Sequence, residues 1–97
     1  MKYGEVIKDV RVKKGFTQEE FVTKLNISQA YLSLIESNKK DPTPKLLQSI
    51  SELTEIPLYY FMFKALEVKK DVKKEKRKNY KDFEPVLSSM IEKFFID

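Results

Sequence analysis

The residues best suited to chemistry lie in one stretch, Thr17 to Glu36 (TQEEFVTKLNISQAYLSLIE). In its second half Leu32 and Ile35 keep an apolar helical spacing, and Gln29, Ala30, Tyr31, Ser33 and Leu34 fall on the other faces. Glutamine carries a donor and an acceptor side by side, a combination that pairs with adenine through two hydrogen bonds worth about 1–3 kcal/mol of discrimination. Ala30 and Leu34 can pack against a thymine methyl, while Tyr31 and Ser33 can meet base edges or phosphates. This is the chemistry of recognition, not of bond breaking. The chain has no cysteine and no histidine, which removes disulfides, zinc ligation and thiol or imidazole catalysis. Its carboxylates are scattered over polar helix faces, and a chain with 2 glycines can hardly build a phosphate-cradling loop. No enzyme activity, metal site or cofactor is expected.

Such a recognition face works only if other elements hold it. Tyr3, Val6, Ile7 and Val10 are spaced as one side of a helix that stops at Gly15. Thr17-Gln18-Glu19-Glu20 reads as a capping box, in which Thr17 accepts from the amide of Glu20 while Glu20 reaches back. A second helix follows to Leu25, and Asn26 is suited to a left-handed C-terminal turn. Ser28 caps a third helix over Gln29 to Glu36. Thr43 before Pro44 opens a fourth with Leu46, Leu47, Ile50 and Leu53 inward, and Ile56-Pro57 opens a short fifth. Strand-period alternation and internal repeats are absent. Two helices joined by a turn of about four residues cross steeply, so that the second can enter a DNA major groove ~12 Å wide.

Charge alone does not make that case. Residues 1–62 carry 9 basic and 8 acidic side chains, residues 63–97 carry 10 and 7. Within Lys69–Lys81 eight of thirteen residues are basic, a run read first as a solvated helix or linker and second as a track for phosphates. Beyond it Tyr80, Phe83, Leu87, Met90 and Phe94 recur at spacings of 3, 4, 3 and 4, widened by Val86 and Ile91. A helix that short is marginal alone, so the stripe must either fold back on the first and fifth helices or bury itself against a second copy. Dimerisation through Phe83, Leu87, Met90, Ile91 and Phe94 is the expectation. Pro85 should start this helix or kink it. The expected division is a domain over residues 1–66 and a basic linker with an amphipathic helix over 67–97.

Gln18, the Leu25-Asn26-Ile27-Ser28 turn, Leu32-Ser33-x-Ile35-Glu36 and Pro42 together resemble the Cro/phage-repressor (XRE) helix-turn-helix family, in register from Ile7 and Arg11 through Ile50. The resemblance covers roughly residues 3–62. It implies an all-α fold, a five-helix repressor-like domain with a C-terminal helical extension, that binds an operator as a dimer. By position, Gln18 would start the second helix against a phosphate or base, and Gln29, Ala30 and Ser33 would lie in the groove. Asn38, Lys39 and Lys40 would contact backbone phosphates. Arg11 and Glu36 occupy positions that pair in such repressors, and each is a lone charge on an otherwise apolar face. The chain departs from the family in Asn26 where glycine is preferred, in Val22 where a small residue is usual, and in Ser37-Asn38 where a basic or asparagine residue precedes glycine.

The implied function is a sequence-specific transcriptional regulator, a repressor, acting as a homodimer on a pseudo-palindromic operator of double-stranded DNA. Its half-sites would be ~34–36 Å apart. One alternative is an autoregulating antitoxin or controller protein whose C-terminal segment holds a protein partner. Another is an interaction adaptor that does not bind DNA, against which the hydrogen-bonding groups Gln18, Gln29, Ser33, Lys39 and Lys40 argue. Met1–Glu5 lacks the apolar stretch of a signal peptide and no run approaches the ~18 residues that cross a bilayer, so a cytoplasmic location away from membranes is expected.

Overall fold

The computed structural model describes residues 1–96, and all regular structure among them is helical. Helices α1 (Gly4–Lys13), α2 (Gln18–Leu25), α3 (Gln29–Glu36), α4 (Pro44–Thr54) and α5 (Leu58–Lys64) are the five helices expected from the sequence. They are followed by α6 (Val68–Asp71), a 3₁₀ turn over Lys74–Lys76, and the long α7 (Arg77–Phe95). No helix among the described residues is long and apolar enough to cross a membrane.

Local chemistry sets the helix ends. Thr17 Oγ1 accepts from the Glu20 amide at 3.1 Å and Glu20 Oε1 accepts from the Thr17 amide at 3.1 Å, which completes the capping box. The Thr17 amide, and after it the Thr17 side chain, hold the Glu20 carboxyl below its usual range by hydrogen bonding to it. Ser28 accepts from Tyr31 N and Thr43 from Leu46 N, with Pro44 in the first turn of α4. Asn26 closes α2 in the left-handed region at φ 56°. It gives the chain the reversal that α3 needs, at a position where asparagine replaces glycine at modest cost.

The core is built from one face of each helix. Ile7, Val10, Phe21, Leu32, Ile35, Ile50, Ile56, Tyr60 and Phe61 are all at most 1% exposed. Phe16 and Phe21 pack as tilted rings 5.5 Å apart, which seats the entry to α2 on α1 and α3. Gly4 is required by a close approach. A methyl group there would stand 2.5 Å from the Ile35 carbonyl oxygen and 2.8 Å from that of Glu36, so only glycine lets α1 start against the end of α3.

The C-terminal helix folds back on the domain. Ile91, Phe95 and Ile96 pack against the core, the Tyr60 hydroxyl donates to Glu92, and Lys64 reaches both Glu84 and Ser88. The order of these pairs makes α5 and α7 antiparallel, and Phe63 meets Tyr80 at their edge with ring centroids 5.7 Å apart. Helix α7 continues through Pro85, which is exposed and neither begins nor ends it. The basic run is likewise structured. Arg77 turns inward and donates to the carbonyls of Val72 and Lys69, which fixes the corner between α6 and α7. The lysines around it stay exposed.

Candidate nucleic-acid interface

Helix α3 buries Leu32, Ile35 and Glu36 and leaves Gln29, Ala30, Ser33 and Leu34 exposed. Gln29 and Ser33, like Ala30 and Leu34, are four residues apart, so these side chains form one contiguous face beside the N-terminus of α2.

A chain of hydrogen bonds runs from the core to that face. Arg11 Nε donates to Glu36 Oε2 at 2.7 Å and Nη2 to Oε1 at 3.2 Å, with Arg11 7% and Glu36 8% exposed. Arg11 Nη1 also donates to the carbonyl of Phe16 at 2.8 Å. Gln18 Nε2 donates to Glu36 Oε1 at 3.0 Å, and Gln29 Nε2 donates to Gln18 Oε1 at 3.3 Å. A buried two-toothed ion pair is therefore fully satisfied and acts as the anchor of a carboxamide relay. Each acceptor fixes the flip of the next amide. Gln29 keeps one N–H and its oxygen free on the exposed side, the donor and acceptor that the edge of adenine requires.

The other residues divide. Tyr31 differs from the fully exposed residues of α3: it is half-buried against the core, and the Lys40 ammonium sits 5.1 Å from the centre of its ring. Asn38 takes a left-handed conformation at φ 61°, and its Oδ1 accepts from the Gly4 amide at 2.8 Å. It thereby caps α1, whose own Tyr3 offers no side-chain cap. The amides of Lys39 and Lys40 both donate to the carbonyl of Leu34, so this loop offers ammonium groups, not backbone N–H groups, to an anion. Both lysines are exposed. Sequence reasoning missed Gly4 and the capping role of Asn38, since the only signal was a glycine opening an amphipathic helix.

Of the five residues expected to dimerise, the structure leaves Phe83, Leu87, Met90 and Phe94 exposed and turns Ile91 inward against the core.

Two capped helices with a left-handed turn between them, the second exposing Gln29, Ala30 and Ser33 on one face, define a helix-turn-helix protein. The helix-turn-helix family model matches residues 7–61, and the chain belongs to that family, in its Cro/C1-type (XRE) branch. It is 35% identical over 71 residues to the HTH-type transcriptional regulator ImmR of Bacillus subtilis, covering 73% of this chain and 56% of that protein. It is 33% identical over 64 residues to the transcriptional regulator ClgR of Mycobacterium tuberculosis, covering 66% of this chain and 57% of ClgR. The chain thus spans a little over half the length of these curated relatives. No solved structure matches significantly.

Proposed function

We propose that this protein is a sequence-specific DNA-binding transcriptional regulator, a repressor, which binds a pseudo-palindromic operator as a homodimer. The observation that carries the reading is the relay Arg11–Glu36–Gln18–Gln29, which ends in an oriented carboxamide on the exposed face of α3. A helix of this width fits one major groove, with Gln29 over an adenine, Ala30 and Ser33 beside neighbouring bases, and Gln18 at the groove edge. Lys39 and Lys40 flank this surface as phosphate contacts that set position without reading sequence. Its relatives' names as transcriptional regulators agree with this reading.

The test is selection of bound fragments from genomic DNA, followed by salt-titrated binding of wild type and Gln29→Ala. The expected result is one palindromic motif, with the variant losing about 1–3 kcal/mol on that motif, roughly 5- to 150-fold in affinity, while weak salt-sensitive binding persists. No enriched motif, or an equal loss on all DNA, would overturn the reading.

A further inference from the structure

Folding back leaves the outer face of α7 bare. Phe83 (62% exposed), Leu87, Met90 and Phe94 (75% exposed) are spaced 4, 3 and 4 apart, the period of a coiled-coil seam, and Val86 lies beside them. Tyr80 begins the same stripe and meets Phe63 of α5. At about 150–250 Å² per aromatic side chain, the exposed parts of Phe83 and Phe94 come to roughly 270 Å². Val86, Leu87 and Met90 bring the face towards the ≈800 Å² that each partner contributes to a stable interface.

We propose that a second copy of this chain covers this face, with the two α7 helices antiparallel about a two-fold axis passing between Ser88 and Ser89. The proposal rests on the dimeric reading above and specifies its seam. Under that axis Phe83 of one copy stands opposite Phe94 of the other, and Leu87 opposite Met90, so each of these four finds an apolar counterpart. The same patch serves both copies, as a closed two-fold interface requires. Charge complementarity selects the direction. Asp82 and Lys93 are exposed on one flank of the stripe, at opposite ends of it. An antiparallel pair brings each aspartate to the other copy's lysine, twice over. A parallel pair would set Asp82 level with Asp82 and Lys93 level with Lys93. Ile91, committed to its own core, is outside the seam.

The chain has no cysteine, so introduced thiols report directly. Phe83→Cys and Phe94→Cys alter exposed positions, and circular dichroism verifies that each variant stays folded. At 1.5 Å per residue, two copies of Cys at the same position would be separated by roughly 16 Å along an antiparallel seam. That is well beyond the ~7 Å between Cα atoms that a disulfide spans. The expected result is a disulfide-linked dimer from an oxidised mixture of the two variants and none from either alone. Linking of either variant alone, or a dimer that never links, would overturn the seam. So would a monomer by sedimentation of wild type, the outcome if the stripe serves a different protein. DNA binding is scored separately: mixed cross-links with no selected motif would sink the functional reading and leave the seam standing.

Discussion

The carboxamide of Gln29 has an oxygen and a nitrogen of nearly equal size, and only its hydrogen bonds decide which points where. Gln18 supplies that decision because its own amide nitrogen is committed to Glu36, which Arg11 holds in turn. Gln18→Ala should therefore act through Gln29. The preference for an A·T pair at the contacted position should fall by about 0.5–1.5 kcal/mol, the net worth of one hydrogen bond. Competition binding against the substituted site measures it, and the effect should vanish in a Gln29→Ala background because the two residues act as a unit. An undiminished preference would mean that Gln29 orients itself. Glu36→Ala is a different kind of change, since it leaves the Arg11 guanidinium buried without its counter-charge. The expected cost is about 3–5 kcal/mol of folding stability, read from urea unfolding.

At the scale of elements, α1 and α3 are joined end to end. Gly4 packs against the Ile35 and Glu36 carbonyls, and Asn38 returns across the gap to cap α1. Gly4→Ala would push a methyl group into backbone atoms that belong to the last turn of the recognition helix. It should cost about 1–3 kcal/mol by overpacking, measured by thermal or urea unfolding. Full stability in that variant would show that the contact is slack. The joint between α5 and α7 carries a pH signature. Burial, and then Glu92, raise the Tyr60 phenol well above its ordinary value. A raised folded value favours the protonated form in the native state, so the contribution is intact below about pH 10, the ordinary value of tyrosine. It is lost above that, as the unfolded chain ionises first. Unfolding midpoints measured from pH 8 to pH 11 should fall less steeply in Tyr60→Phe than in wild type, and parallel slopes would count against this origin.

For the whole molecule, the distribution of charge matters more than its sum of +4. The five-helix part is almost balanced, so long-range attraction to DNA is weak and phosphate contacts must be local. Lys39 is the cleaner probe, because Lys40 also lies over Tyr31 and its removal disturbs packing. Lys39→Gln should lower the slope of log affinity against log salt by about 0.9 on specific and unrelated DNA alike, with sequence preference unchanged. An unchanged slope would remove Lys39 from the interface. The exposed lysines at the corner of α6 and α7 can be scored on the same scale.

What the sequence by itself determined is what short-range physics controls. The limits of α2 and α3 follow from Thr17, Glu20, Asn26 and Ser28, whose side chains and backbone preferences act within a few residues of themselves. The exposed row Gln29, Ala30, Ser33 follows from the helical period once Leu32 and Ile35 are taken as core. Arg11 and Glu36 stand out as lone charges on apolar faces, and burial without a partner would be too costly to survive. Only the tertiary structure decided the rest, since it depends on residues distant in the chain. It made Asn38 a cap for α1 and Gly4 the point of closest approach, half-buried Tyr31 beneath Lys40, and tied the Lys39 and Lys40 amides to Leu34. It also divided the broad apolar stripe of α7, sending Ile91 inward and leaving Phe83, Leu87, Met90 and Phe94 outward. Periodicity marks a helix surface as apolar, but which part of a wide surface is covered depends on where the other helices stop.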